Sequence, residues 1–227
     1  MVRKSKIWIF GSSTCLPFRL DSKKLGWDYI LSKKLKMPFE NFSNPGADNF
    51  FIFYSILENY KKIQTNDIVV VGWSHPSRKT FIYDNINQKQ KSALDNSLLY
   101  KTKKYKFIRN NGQHTSKIPA SFWSLVKPRN SKVDFYDRWF RDYYNIHEQN
   151  INFQSYLIST EQMLQNINYS HFFFSKESTT GVKCKNKLGF MLDFAVQKKV
   201  SISKNDYHLN EKGHRLWAEK LYKGIRK

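Results

Sequence analysis

One serine, one histidine and one aspartate have the types and spacing needed to cleave an ester. Ser13 follows a short apolar run, while Asp206 and His208 are separated by a single residue near the end of the chain. A serine hydroxyl is a poor nucleophile at neutral pH unless a histidine takes its proton, and a carboxylate usually holds that histidine in the required tautomer. These residues permit acyl transfer, with Ser13 as nucleophile, His208 as base and Asp206 as the group that orients the base, although an Asp-x-His triplet alone is a weak signal.

The first third of the chain predicts alternating strands and helices that would position Ser13. Its apolar runs and capping residues predict strands at 6–10, 39–42 and 67–73, and helices at 23–36 and 48–62. The β-branched run from Ile68 to Val71 is typical of a strand buried in a parallel sheet. The alternation predicts an α/β protein, a three-layer α/β/α sandwich with a central parallel sheet and helices on both faces.

The rest of the chain is less regular. A lysine-rich and helical insertion is predicted at about 79–168, with one helix near Gln88 to Lys101 and two helices within Asp134 to Asn166, broken around Asn150. A buried strand at His171 to Phe174 and a last helix capped by Asn210 follow. Because no linker is visible and the length suits one core, residues 1–227 are predicted to form a single domain.

The candidate residues are predicted to converge on one edge of this sheet. In open parallel sheets, ligands bind outside the carboxyl ends of the strands. Ser13, Gly46 and Ser74 each follow one of the first three predicted strands, and Asp206 and His208 are expected in the loop before the last helix.

Four segments, in this order, resemble the sequence blocks of the SGNH (GDSL-type) hydrolase family. They are Ile7 to Ser13, Asn44 to Asn49, Val71 to Arg78 and Asp206 to His214. The resemblance implies the flavodoxin-like SGNH hydrolase fold and a serine esterase or acyl hydrolase. It also implies that the Gly46 amide lines an oxyanion hole and that the last block holds the catalytic acid and base. A small-molecule or glycan ester is the implied substrate, and a carbohydrate O-acyl group is preferred.

The sequence departs from the family pattern at three positions. Ser12 replaces the usual aspartate before the nucleophile, and Ser74 stands where the family has its oxyanion asparagine. The usual acid lies three residues before the histidine, which is Asn205 here, whereas Asp206 lies two before it. The sequence therefore leaves open whether Asp206 or Asn205 partners His208, and whether Ser74 donates to the oxyanion. The third block is also similar to a form found in phage and some bacterial members.

Other residues offer competing chemistry. Cys15 is an alternative nucleophile, although buried cysteine usually behaves as a small hydrophobe, and His75 is a rival base without a nearby carboxylate in the sequence. The remaining histidines lack the spacing of metal ligands, so neither a metal nor a cofactor is predicted.

The net charge of +21 supports an alternative hypothesis, a non-catalytic basic protein that binds a glycan or nucleic acid on the same scaffold. The lysines are scattered through every segment, which favours compositional bias, so nucleic acid is a possible but not favoured partner. With two cysteines, no export signal and no apolar run approaching ~20 residues, the sequence predicts a soluble cytoplasmic protein without a membrane span. The oligomeric state is left open.

Overall fold

A computed structural model of the protein describes residues 3–75, 78, 80–83, 99–101, 106–109, 145–176, 184–203 and 206–226. Its strands are β1 (Ile7–Gly11), β2 (Phe39–Asn41), β3 (Ile68–Trp73), β4 (Thr80–Tyr83), β5 (Leu99–Lys101), β6 (Lys106–Arg109), β7 (Asn168–Phe173), β8 (Lys187–Phe190), β9 (Ser201–Ser203) and β10 (Asp206–Leu209). Its helices are α1 (Trp27–Leu35), α2 (Asn49–Asn59), α3 (Ile146–Met163), α4 (Met191–Lys198) and α5 (Glu211–Ile225).

The central sheet has five parallel strands in the order β2-β1-β3-β7-β8. Its middle strand pair is in register from Ile7 opposite Ile68 to Gly11 opposite Gly72. Strands β1 and β3 therefore end side by side, and the residues that follow them emerge at the same edge.

Helices cover both faces of this sheet. Successive side chains of a strand point to opposite faces, so each buried strand supplies two cores. On one face, Ile9 and Val70 belong to the core that contains Trp217 of α5. On the other, Phe10 and Val71 pack in the core that contains Phe51 of α2 and residues of α3. The predicted three-layer α/β/α sandwich with a central parallel sheet is confirmed.

Three predictions about helices differ from the structure. Residues 23–25 form a separate 3-10 turn, and α1 begins only after Gly26. The predicted break around Asn150 is wrong, because α3 runs through it and buries Phe153 and Leu157 against the sheet. Of the helix predicted at 88–101, the last three residues form strand β5 and the others lie outside the described residues.

The described parts of the predicted insertion at 79–168 comprise a three-stranded antiparallel sheet, in the order β4-β6-β5, and helix α3. The single domain stays a prediction. None of the helices within the described ranges combines the length and the apolar character that crossing a bilayer requires.

Asp67 joins the N-terminal segment to the start of β3. Its fully buried carboxylate accepts hydrogen bonds from the Lys6 N–H at 2.9 Å, the Trp8 Nε1–H at 2.8 Å and the Gln64 N–H at 2.9 Å, and it pairs with Arg3. Burial acts to raise the pKa of Asp67, but these bonds outweigh it and hold the pKa below its usual value.

We expect Asp67→Asn to lower the free energy of unfolding at neutral pH by about 3 kcal/mol, because it leaves buried donors poorly paired. A carboxylate with a depressed folded pKa stabilises fully above its unfolded pKa of about 4, and that stabilisation is lost as the pH falls through the folded pKa. Urea unfolding of both proteins should therefore show a difference that shrinks at acid pH. Glu40→Gln, which removes an exposed ion pair with Lys6, should change stability by less than about 1 kcal/mol. A pH-independent difference for Asp67→Asn would contradict this role.

Candidate active site

The structure brings Ser13, His208 and Asp206 into one hydrogen-bonded chain. Ser13 opens a single 3-10 turn directly beyond β1, and its Oγ lies 2.9 Å from His208 Nε2. On the far side of the ring, His208 Nδ1 lies 2.6 Å from Asp206 Oδ1. Because an ionised carboxylate only accepts, the Nδ1 atom carries the ring proton and Nε2 is left to accept from the serine hydroxyl.

The two-residue spacing of Asp206 and His208 is explained by strand β10. The loop predicted for these residues is wrong, since they lie in a strand that pairs antiparallel with β9. In an extended strand, residues i and i+2 point to the same side, and Tyr207 between them is exposed. The His208 N–H also donates to Asp206 Oδ1 at 3.1 Å. Asp206 is thus a partner of His208, while Asn205 lies outside the described residues.

Arg19 contacts the other oxygen of the same carboxylate. Its Nη1 lies 2.9 Å from Asp206 Oδ2. Burial acts to raise the pKa of Asp206, but hydrogen bonds from His208 and the charge of Arg19 outweigh it, so the pKa lies below its usual value. At neutral pH the carboxylate is therefore ionised and suited to stabilise a protonated imidazole.

Phe18 covers one face of the imidazole. The ring centroids of Phe18 and His208 are 4.4 Å apart and their planes differ by 28°. The Arg19 guanidinium carbon lies 5.4 Å from the centroid of the Phe18 ring. Neither Phe18 nor Arg19 was predicted from the sequence, since nothing distinguishes an arginine six residues past the nucleophile in a chain with 39 lysines and arginines.

Gly46 reaches the same edge of the sheet through the loop after β2. The Asn44 N–H donates to the Gly11 carbonyl at 3.0 Å, which ties this loop to the end of β1. Gly46 has a φ of 73°, a left-handed conformation that favours glycine. Within the described residues, neither the Gly46 nor the Ser13 N–H donates to a backbone acceptor. Both amides are therefore available to a further acceptor.

Ser74 follows β3 at the same level. Ser13 and Ser74 each lie two residues beyond the paired Gly11 and Gly72, on strands spaced about 4.8 Å apart. The Ser74 N–H donates to Asn49 Oδ1 at 2.8 Å. Among the described residues, the buried Ser74 Oγ and Asn49 Nδ2 have no hydrogen-bond partner. Asn49, the first residue of α2, was missed by sequence reasoning and adds an amide donor beside the serine.

The competing residues are held in inert environments. Cys15 Sγ packs so tightly that a Cβ at Gly11 or Gly72 would lie 2.2 or 2.4 Å from it. Burial raises the pKa of Cys15 to about 12, so the thiol stays protonated. Burial and then the charge of Arg78 lower the pKa of His75 to about 4. These environments argue against a thiol nucleophile.

A separate groove of about 650 Å³ lies among β7, β8, α4 and α5 and contains none of the three triad residues. Its charged lining consists of Glu219 and four lysines, Lys187, Lys198, Lys220 and Lys223. The ranges that the structure describes hold no group of three or more His, Cys, Asp or Glu side chains that could bind a metal ion.

Neither a protein-family model nor a curated protein sequence matches the chain. Solved structures do match. A lipolytic protein of the G-D-S-L family from Desulfitobacterium hafniense has a TM-score of 0.50, with 7% identity, over 97% of this chain and 99% of that one. The psychrotrophic esterase EstA from Pseudoalteromonas sp., in a structure inhibited by monoethylphosphonate, also has a TM-score of 0.50, with 11% identity, over 98% and 97%. A G-D-S-L family member from Veillonella parvula covers 96% and 97% with 10% identity and a TM-score of 0.48.

At such low identities the likeness concerns the fold. The first two neighbours align over almost the full length of both chains. The resemblance seen in the four sequence blocks is confirmed at that level, and the protein has the SGNH hydrolase fold of G-D-S-L lipolytic proteins and esterases.

Proposed function

We propose that the protein is a serine hydrolase that cleaves an ester through a triad of Ser13, His208 and Asp206. The observation that carries this proposal is the continuous chain from Ser13 Oγ through the His208 ring to the Asp206 carboxylate, with contacts of 2.9 and 2.6 Å. As Ser13 Oγ attacks the acyl carbon, His208 Nε2 takes its proton, and Asp206 stabilises the resulting imidazolium.

The oxyanion of the tetrahedral intermediate would be held at the edge where β1, β2 and β3 end. The proposed donors are the Ser13 and Gly46 amides and the Ser74 hydroxyl, which takes the place of the family's asparagine. Their available hydrogen-bonding capacity supports this assignment. Fixed donors that point at developing negative charge are usually the largest single contribution to such catalysis.

Collapse of the intermediate would then release the alcohol, which takes the proton from His208, and leave the acyl group on Ser13. Water, deprotonated by His208, would cleave this acyl-enzyme and regenerate the serine. The proposed substrate is a small-molecule or glycan ester, with a carbohydrate O-acyl group preferred. That preference comes from the family resemblance, because one fold can host many substrates. The proposed location is the cytoplasm.

Labelling with a fluorophosphonate tests the nucleophile directly. We expect the probe to modify Ser13, as identified by peptide mapping, because only an activated serine attacks the phosphorus at a useful rate. His208→Ala should slow the labelling at least about a hundredfold by removing the base. Absence of labelling at Ser13, under conditions where a known serine esterase reacts, would overturn the proposal.

The lysine-lined groove favours a second candidate function, a non-catalytic basic protein that binds an anionic glycan or nucleic acid. Lys187, Lys198, Lys220 and Lys223 all line this groove, away from the triad. Such binding should weaken steeply between low and moderate salt, because it releases counterions from the ligand. A protein that retains salt-dependent binding but shows no labelling at Ser13 would fit this candidate.

A further inference from the structure

We propose that Phe18 and Arg19 form a clamp that positions the Asp206–His208 pair, an inference that rests on the proposed function. The clamp makes two separate contacts. Arg19 holds the carboxylate oxygen that His208 does not use, at 2.9 Å, and Phe18 stacks on the imidazole ring at 4.4 Å. Both residues are positioning residues, since they act through the acid and the base.

The contacts around Asp206 show why a clamp is needed. Both hydrogen bonds from His208, one from its ring and one from its backbone, go to Oδ1. Rotation of the carboxylate about its Cβ–Cγ bond weakens both of these hydrogen bonds, and with Oδ2 unheld they alone would resist it. Arg19 fixes the rotation by binding Oδ2, and the planar guanidinium suits this geometry.

The backbone of Arg19 is strained. Arg19 has a φ of 55°, in the left-handed region, which costs a residue other than glycine roughly 1–2 kcal/mol. The ion pair between Arg19 and Asp206 stabilises the fold by less than this cost, because the Arg19 side chain is 59% exposed and exposed ion pairs contribute little to stability. Lys36, Asn186 and Lys199 have the same conformation, so the contacts of Arg19 with Asp206 and of Phe18 with His208 carry the inference.

The clamp also joins the two halves of the triad. Phe18 and Arg19 follow the 3-10 turn that begins at Ser13, and the Leu16 N–H donates to the Ser13 carbonyl at 3.1 Å. The segment that carries the nucleophile therefore reaches over to hold the acid and the base, which lie nearly 200 residues later in the sequence.

Arg19 can be tested by three substitutions measured against ester turnover and labelling. We expect Arg19→Ala and Arg19→Gly to lower kcat about 10- to 100-fold while KM changes less than about threefold, because positioning acts on the reacting geometry. Arg19→Gly relieves the backbone strain, so its thermal midpoint should match or exceed that of the wild type although activity falls. Arg19→Lys keeps the charge and should recover part of the rate. Arg215→Ala, which removes an exposed arginine paired with Glu211, is the matched control and should leave kcat unchanged.

The pH profile separates positioning from a purely structural role. Arg19 adds positive charge beside the Asp206–His208 pair, so its removal makes protonation of the pair more favourable. The acidic limb of kcat/KM should therefore move to higher pH in Arg19→Ala and return toward the wild-type position in Arg19→Lys. Unchanged kcat and an unchanged acidic limb in Arg19→Ala would overturn the clamp.

A proton NMR readout distinguishes failure of the clamp from failure of the proposed function. The His208 Nδ1–H, bonded to a carboxylate at 2.6 Å, should give a far-downfield resonance in the wild type that disappears or broadens in Arg19→Ala and Arg19→Gly. This signal needs no substrate. If Ser13 fails to label but the resonance depends on Arg19, the clamp stands and the hydrolase fails. If Ser13 labels and the resonance is the same in all variants, the clamp fails and the hydrolase stands.

Discussion

Ser13→Ala should lower kcat for ester hydrolysis by about 10⁴-fold or more, the largest effect expected of any single substitution in this protein. Alanine removes the oxygen proposed to form the acyl bond, and what would remain is the modest rate that an oxyanion site and binding alone provide. The substitution deletes one oxygen from a buried turn, so the thermal midpoint should stay within a few degrees. Initial rates on short-chain p-nitrophenyl esters, at substrate concentrations spanning KM, measure the effect.

Ser12→Ala is the matched control, because Ser12 is the neighbouring buried serine. Its Oγ lies 3.1 Å from Thr14 Oγ1, and the structure gives it no contact with His208. We expect it to change kcat by less than about tenfold, an effect of packing rather than of chemistry. If Ser13→Ala keeps more than a tenth of wild-type activity and Ser12→Ala is inactive, the nucleophile is Ser12 and the proposal for Ser13 is wrong.

The fold could be predicted from the sequences of the strands that are buried on both faces. All residues of β1 and β3 are buried, so their sequences are continuous apolar runs with clear ends. Strands β8 and β10 were missed because they are short and only partly buried, which leaves their sequences mixed. The false break at Asn150 has a similar cause. Asparagine disfavours helices locally, but the packing of Phe153 and Leu157 in the core overrides that preference.

The site was predictable to the extent that its residues carry chemistry of their own. A serine after a strand and an Asp-x-His triplet before a capped helix are visible in the sequence, as is a glycine next to a proline. Arg19 and Asn49 are different, because their roles depend on which atoms they meet after folding. Asn49 is distinguished only by its contact with the Ser74 N–H, and Arg19 only by its contact with Asp206.

The electrostatics of the site also follow from tertiary structure. The pKa of Asp206 is held low by the His208 ring and by Arg19, which lies 187 residues earlier in the chain. Neither the periodicity nor the composition of the sequence indicates such a contact. The same holds for His214, whose Nδ1 accepts from the Trp27 N–H at 3.1 Å and whose pKa burial lowers to about 4. His214 is therefore a neutral link between α1 and α5, and His208 is left as the histidine in contact with Ser13.

Asp206→Asn should lower kcat by about 10³- to 10⁴-fold at neutral pH. The amide cannot accept through both of its terminal atoms, so it favours the wrong imidazole tautomer and leaves the imidazolium without a counter-charge. Because the pKa of Asp206 lies below its usual value, the wild type keeps the ionised carboxylate from about pH 6 to pH 8, and a deficit should be present throughout this range. Rates on p-nitrophenyl esters across this range, with labelling rates in parallel, measure it.

A double-substitution cycle with Arg19 makes this prediction specific. If Arg19 acts only through the Asp206 carboxylate, Arg19→Ala should lower kcat about 10- to 100-fold in the wild type. In the Asp206→Asn protein the same substitution should lower kcat less than about threefold. Full additivity of the two effects would mean that Arg19 acts elsewhere.

Moving the carboxylate with Asn205→Asp in the Asp206→Asn protein should not restore turnover, because the contacts with His208 and Arg19 are both made from position 206. Recovery to near the wild-type rate would instead give the family's three-residue spacing the catalytic role.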